Sequence, residues 1–287
     1  MREHDDPEET ERGWVARLGG DFSVRLLTGM AVAVCVALFI LSGPTPFAAL
    51  VVSASLLVGW EWGRLVHGPD VGILVAVQLG TAAIAGVLAA SGFVGLGLLA
   101  LPIGAILATF LSLGRNSFLA ALGVLYAGFP AVVLIWLRSD PVLGLPAVIF
   151  LIVIVAVADT AAFVCGRLLR GSLLWPKVSP NKTWSGFVGA LGASALVGAL
   201  FGLAVPGASA LRLAAAGALL ALVAHAGDLA ESALKRRFGA KDAGSLLPGH
   251  GGVMDRVDGL VTAASAVGLA AIAINMSSPA RALLLGS

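Results

Sequence analysis

The residues best suited to chemistry are concentrated in one polar segment, 225–259, which carries five acidic, five basic and two histidine side chains in an otherwise apolar chain. Asp228 lies near the end of one apolar run, and Asp255 lies near the start of the next. Carboxylates from two helices can therefore converge at one depth. Such a pair suits Mg²⁺, which takes oxygen ligands and completes its shell with waters and phosphates. The polar segment thus predicts a metal site that handles phosphate groups.

Two further features of the polar segment favour phosphate binding. Asp258 follows Asp255 by three residues, so the two share a helix face if the last apolar helix starts here. The stretch 248–252 has few side chains, so its backbone N–H groups can approach phosphate oxygens. His250 within it is a candidate proton carrier or hydrogen-bond donor to phosphate. A glycine-rich turn between helices would produce the same stretch without a binding role.

Within the polar segment, 231–237 is predicted to form a short cytoplasmic helix of its own. Its basic residues Lys235, Arg236 and Arg237 would lie near the lipid head groups. There they would either attract anionic lipid or only fix the topology of the chain.

A second polar stretch, 179–184, is predicted to be a loop directly before another apolar run. Lys182 offers a point charge for phosphate, and the hydroxyl groups of Ser179 and Thr183 can add hydrogen bonds. The N–H groups of the following helix start can do the same. The sequence has no Gly-x-x-x-x-Gly-Lys-Ser/Thr motif, so a P-loop nucleotidase is unsupported.

The elements that must position these residues are membrane spans. Hydrophobic residues make up 59% of the 287 residues and charged residues only 12%, whereas soluble domains are roughly 45–50% apolar. The chain is therefore predicted to be an all-α, polytopic integral membrane protein with nine transmembrane helices and a polar site facing the cytoplasm. The predicted spans are 26–41, 47–63, 71–90, 93–113, 118–136, 142–165, 186–204, 211–226 and 260–276.

The distribution of lysine and arginine predicts the orientation, because positive charge is retained on the cytoplasmic side of a membrane. With the N-terminus inside, 15 of the 18 lysines and arginines are cytoplasmic, and only Arg138, Arg212 and Arg281 are outside. Both polar stretches then face the cytoplasm, where they could form one site.

Three regions follow from these patterns: an acidic cytoplasmic tail, 1–24, a transmembrane scaffold, 25–140, and a transmembrane catalytic region, 141–287. In the last region charged residues such as Asp159 interrupt or border the spans. Ionisable groups at membrane depth are costly, so they predict a site or a water-filled cavity. Buried ion pairs that hold helices together are the alternative.

Two other patterns have structural interpretations. Gly198 and Gly202, four residues apart, either allow a tight helix crossing or reflect the abundance of glycine in the chain. Glu61 and Arg64 lie at helical spacing at a membrane edge, where they could pair with each other.

The polar segment closely resembles the signature of phosphatidate cytidylyltransferases, also called CDP-diacylglycerol synthases. Residues 159–167 and 179–186 resemble two other conserved blocks of that family. Two departures occur: Ser185 stands where the family usually has glutamate, and Ala190 stands where it usually has glycine. The matching signature residues are Ser232, Lys235, Arg236, Lys241, Asp242, Gly244, Leu247, Pro248, Gly249, His250, Gly251, Gly252, Asp255, Arg256 and Asp258.

The resemblance implies transfer of the cytidylyl group of CTP to phosphatidate, giving CDP-diacylglycerol and pyrophosphate. It implies Mg²⁺ as the cofactor and leaves open a second, monovalent cation such as K⁺. The expected setting is the bacterial inner (cytoplasmic) membrane with its lipids, and the expected assembly is a homodimer; no nucleic-acid partner is expected.

The resemblance also assigns roles to particular residues. It places the metal on Asp228 and Asp255, and it makes Lys182, Arg256 and Lys241 candidates for contacts to phosphate. The remaining candidates for substrate binding are Ser179, Asn181, Thr183, His250, Asp159 and Asp258.

Two other functions fit the residues less well. The stretch 255–259 imitates the opening of the Asp-x-x-Asp-Gly motif of CDP-alcohol phosphotransferases, but no further acidic residue follows it. A transporter would use Asp159, Asp228 and Lys182 as an ion path and would spread polar residues through the middle of the membrane. Here the polar residues cluster at helix ends.

Overall fold

A computed structural model of the protein describes residues 29–31, 33–68, 72–244, 246 and 251–287. Most of these described residues are helical, which confirms the all-α prediction, and one short hairpin lies among them. The helices are α1 (Gly29–Leu41), α2 (Pro44–His67), α3 (Ile73–Ala90), α4 (Val94–Leu111), α5 (Ser117–Arg138), α6 (Gly144–Leu169), α7 (Trp184–Ala204), α8 (Ala210–Arg237), α9 (Met254–Ile274) and α10 (Pro279–Leu284). The strands are β1 (Leu173–Trp175) and β2 (Ser179–Thr183).

Eight helices, α2 to α9, are long and apolar enough to cross a membrane. They correspond to eight of the predicted spans. The first predicted span, 26–41, corresponds to α1, which is shorter than the others over the residues described. Residues 26–28 and the acidic tail, 1–24, lie outside the described part of the chain.

Helix α8 corrects one prediction, because it runs without a break for 28 residues instead of ending at Ala226 before a separate short helix. Gly227, the weakest helix former at that point, lies against α9. A Cβ atom there would be 2.2 Å from Thr262 Oγ1, so α9 packs directly against the backbone of α8 at this point. This packing stabilises the helix at a glycine, a residue with low helix propensity. The basic end of α8 is therefore a continuation of a span.

Two boundaries near the site also differ from the prediction. Helix α9 begins at Met254, several residues earlier than the predicted span, so Asp255 and Asp258 both lie in its first turns. The stretch Ser179–Thr183, predicted as a loop, is a strand paired with β1 in an antiparallel hairpin.

Helices α7 and α8 pack closely through glycine. A Cβ atom on Gly198 would be 2.1 Å from the carbonyl oxygen of Leu213, and one on Gly202 would be 2.5 Å from Ala210 Cα. Lipid offers no hydrophobic drive for helices to associate, so close backbone contact of this kind provides much of the attraction. The tight-crossing interpretation of this glycine pair is confirmed.

Helix α9 joins the two halves of the bundle. It packs on α8 and α6 from the second half and on α5 and α2 from the first. The core between them is dry and apolar, with Phe150, Leu151 and Ile154 of α6 fully buried beside Val132 and Val133 of α5. The start of α9 is thus supported from both halves of the chain.

The three arginines predicted to lie outside are found at the end of the bundle opposite to the polar segment. Arg138 ends α5, Arg212 lies in the first turn of α8, and Arg281 belongs to α10. Asp140 accepts a hydrogen bond of 2.9 Å from Ser278 at this same end. These three arginines therefore share one end of the bundle, and the orientation of that end in the membrane stays a prediction.

Substitution of Gly198 by valine is expected to lower the melting temperature of the purified protein by at least about 4 °C, because the side chain would overlap the backbone of α8. Gly192→Val is the matched control, since it lies on the same helix with nothing within 4 Å of its Cβ position. Equal melting temperatures for the two variants would contradict the packing described.

Candidate active site

The hairpin presents polar side chains at the start of α7. Its register pairs Leu173 with Thr183 and Trp175 with Ser179. The hydroxyl oxygen of Thr183 accepts a hydrogen bond of 3.2 Å from the N–H of Gly186 and so caps α7. Strand β2 therefore passes directly into the helix, which fixes Lys182 at the helix start.

A close approach of α6 and α7 brings Asp159 beside the hairpin. A Cβ atom on Gly186 would be 2.6 Å from the carbonyl oxygen of Ala162, so only glycine fits at this contact. Ser185 donates a hydrogen bond to the carbonyl oxygen of Arg170. The Ser185 side chain thereby joins the start of α7 to the residue after α6. Because the hairpin lies between these two residues in the chain, this hydrogen bond holds both ends of the hairpin together.

Helices α6, α7 and α8 and the hairpin enclose a pocket of about 380 Å³. Lys182 and Asp228 form an ion pair on its wall. The pocket brings together most of the residues predicted to bind substrate, together with His225, which sequence reasoning did not select. The lining residues are Asp159, Ala162, Phe163, Leu174, Ser179, Asn181, Lys182, Thr183, Gly186, Phe187, His225 and Asp228.

Three carboxylates converge beside this pocket. Single oxygen atoms of Asp228, Glu231 and Asp258 all lie within 4.8 Å of one another. One ion with oxygen ligands at about 2.1 Å could contact such a set. Glu231 is only 4% exposed and was not selected from the sequence, although its spacing of three from Asp228 places both on one face of α8.

Lys235 links this group to Asp255. Its ammonium group lies 2.8 Å from Glu231 and 2.5 Å from Asp255 Oδ1. The other oxygen of Asp255 accepts backbone hydrogen bonds from Ala243, at 2.9 Å, and Gly252, at 3.0 Å. Asp255 therefore ties the connection between α8 and α9 to α8. Its predicted role as a metal ligand stays a prediction, and it would require Oδ1 to exchange Lys235 for the ion.

Glu61 of α2 caps the start of α9. Its two carboxylate oxygens accept hydrogen bonds from the N–H groups of Val253, at 3.0 Å, and Met254, at 2.7 Å. A carboxylate here satisfies N–H groups that lack a partner within the helix and complements the helix dipole. Cβ atoms on Gly244 and Gly252 would lie 2.4 and 2.8 Å from this carboxylate. Glu61 thus acts on α9, and the sequence had suggested only a pair with Arg64.

The other predicted residues lie apart from the pocket or outside the described chain. Lys241 and Arg256 are exposed, and neither is among the residues that line the pocket. His250 lies outside the described residues, as do Pro248 and Gly249. Gly251 is described and has φ of 81°, a left-handed conformation that favours glycine.

Comparison with known families supports the resemblance seen in the sequence. Residues 23–273 match the model of the family described as "Cytidylyltransferase family". The chain belongs to this cytidylyltransferase family. The match includes the scaffold that carries Glu61 as well as the pocket and the acidic cluster, so the cytidylyltransferase architecture extends over both halves of the bundle.

Several curated relatives are named phosphatidate cytidylyltransferase. The protein of Brucella suis biovar 1 is 50% identical over 147 residues, which cover 50% of this chain and 54% of the relative. The protein of Staphylococcus saprophyticus is 41% identical over 155 residues, 52% of this chain and 58% of the relative. The protein of Staphylococcus epidermidis is 38% identical over 167 residues, which cover 56% of this chain and 63% of the relative. The chain therefore spans little more than half the length of these relatives.

Replacement of Glu61 by glutamine should loosen the start of α9, because an amide has one acceptor oxygen and turns an NH₂ group toward a backbone N–H. Hydrogen exchange at Val253 and Met254 should become about tenfold faster, equal to about 1.4 kcal/mol. Mass spectrometry of peptides covering residues 251–256 measures this.

Gln78→Met is the matched control for this substitution. Gln78 is another buried polar residue of the scaffold, but it donates to the carbonyl oxygen of Ala120 and not to α9. Unchanged exchange in Glu61→Gln, or an equal increase in both variants, would contradict the capping role of Glu61.

Proposed function

We propose that this protein transfers the cytidylyl group of CTP to phosphatidate, forming CDP-diacylglycerol and pyrophosphate. The observation that carries the proposal is the pocket between the second half of α6, the start of α7 and the middle of α8, where Lys182 meets Asp228, one of three converging carboxylates. Membership of the cytidylyltransferase family and the names of the relatives support the same reaction.

The reaction needs positioning and charge stabilisation more than covalent chemistry by the protein. An oxygen of the phosphatidate phosphate attacks the α-phosphorus of CTP, and the bond to the pyrophosphate leaving group breaks. Lys182 is the cation on the pocket wall and is placed to neutralise phosphate oxygens. The hydroxyl groups of Ser179 and Thr183 and the amide of Asn181 can hold the same oxygens in place.

The acidic cluster fits Mg²⁺, because carboxylate oxygens are the donors that this ion prefers and their spacing matches one ion. Asp228, predicted from the sequence to be a ligand, belongs to this cluster. Asp258 and Glu231 could contact the same ion. Asp255 could contact it as well if its ion pair with Lys235 were broken. When bound, Mg²⁺ neutralises charge on the triphosphate.

The proposed orientation places the pocket on the cytoplasmic face of the bacterial inner membrane, where soluble CTP is available. The excess of lysine and arginine residues predicted for this side of the membrane, 15 of the 18, supports this orientation. A homodimer, expected from the resemblance, is part of the proposal as well.

Purified protein incubated with Mg²⁺, phosphatidate in mixed micelles and CTP labelled in the cytidine ring should transfer label to the lipid phase. The amount of label should equal the amount of pyrophosphate released, because each transfer yields one of each. No label in the lipid with any divalent cation would refute the proposed reaction.

Two lysine variants test the site within the same assay. Lys182→Met should lower kcat/KM by about 30- to 100-fold, since it removes a charged hydrogen-bond donor to phosphate. Lys177→Met is the matched control, because Lys177 is exposed at the turn of the same hairpin and does not line the pocket. Equal activity of the two variants would remove Lys182 from the site.

A further inference from the structure

His225 is a buried polar side chain that the proposed reaction has not yet used. It is 5% exposed, and neither ring nitrogen has a hydrogen-bond partner among the described residues. Its ring lies 6.0 Å from the ring of Phe187, and both residues line the pocket that contains Lys182 and Asp228. The imidazole is therefore buried against the substrate pocket.

A buried imidazole without a partner is unfavourable. Leaving a buried donor or acceptor unsatisfied generally costs a protein stability, and nearly all such groups in folded proteins are paired. In a neutral imidazole one ring nitrogen donates and the other accepts. The pocket of about 380 Å³ has room for a ligand that supplies the missing acceptor.

The position of His225 along α8 indicates which ligand this is. The residue precedes Asp228 by three positions, which places it about 4.5 Å farther from the cytoplasmic end of the helix. Apolar residues of the pocket, Phe187, Ala162 and Phe163, belong to the helices on either side. Along α8 the pocket thus passes from Asp228, which pairs with Lys182, to His225 beside the ring of Phe187, one turn nearer the membrane centre.

A soluble nucleotide enters from the aqueous end, whereas the glycerol esters of a membrane lipid lie below its phosphate. We infer that His225 binds the lipid substrate: its N–H donates to an oxygen of the phosphate ester or adjacent acyl ester of a phosphorylated glycerolipid. His225 then selects the lipid, while Lys182 and the hairpin hold phosphates. This inference rests on the proposed function, because it names the binding residue for one of the two substrates.

The test compares His225→Leu with His225→Gln in the mixed-micelle assay, with each substrate varied in turn. For His225→Leu, the apparent KM for phosphatidate, expressed as mole fraction in the micelle, should rise about tenfold, equal to about 1.4 kcal/mol. The KM for CTP should stay within about twofold of wild type. His225→Gln keeps a donor and an acceptor, so it should restore most of the affinity for lipid.

Binding without turnover provides a second readout. Phosphatidate in micelles, without CTP, should raise the melting temperature of the wild type and of His225→Gln but not of His225→Leu. Soluble glycerol 3-phosphate provides the phosphate ester without acyl groups, and it distinguishes a site for the acylated lipid from a site for the phosphate ester alone. His67→Leu is the matched control, because His67 lines a different cavity with Arg115 and Asn116 and should change neither KM.

The outcomes separate this inference from the proposed function. If the wild type transfers no cytidylyl group, the proposed function fails. If the wild type is active but His225→Leu keeps its KM for phosphatidate, the inference fails alone. A selective rise in the KM for CTP, or stabilisation of the wild type by glycerol 3-phosphate equal to that by phosphatidate, would also overturn the assignment to the lipid.

Discussion

The site depends on where α9 begins, and two carboxylates fix that point from opposite sides. Glu61 reaches from α2 to the N–H groups of Val253 and Met254, and Asp255 binds Lys235 of α8. Because Asp258 lies one turn farther along α9, its distance from the acids of α8 follows from this anchoring. A helix start held by buried hydrogen bonds cannot shift without leaving N–H groups unpaired. Glu61 of the scaffold half and Lys235 of α8 thereby set the geometry of the acidic cluster together.

The pairing of acidic and basic groups also offsets the desolvation cost of burying charge in a membrane protein. Acidic and basic groups alternate around the cluster, with Lys182 on Asp228 and Lys235 between Glu231 and Asp255. Buried charges require such partners, because desolvation is expensive in an apolar environment. The same acids can accept a metal ion in place of a lysine. The buried ion pairs, one of the alternatives raised by the sequence, are therefore observed, and the proposed site uses the same residues.

Much of this architecture could be predicted from local sequence, and the rest depends on distant contacts. Apolar runs identified eight spans, and a spacing of three placed Asp255 and Asp258 on one helix. The role of Glu61 was missed because its partner Met254 lies 193 residues away, and no local pattern encodes such a contact. The short hairpin was missed because β2 is polar and brief. Glu231 was missed because 231–237 was predicted to be a separate cytoplasmic helix, whereas it continues α8.

We propose that one divalent ion joins α8 to α9 at the acidic cluster. Anomalous diffraction from crystals grown with Mn²⁺, which prefers the same oxygen ligands as Mg²⁺, tests it directly. We predict a single strong peak within coordination distance of Asp228 on α8 and of Asp255 or Asp258 on α9. A peak that contacts only one of the two helices, or one that lies away from both, would contradict this account.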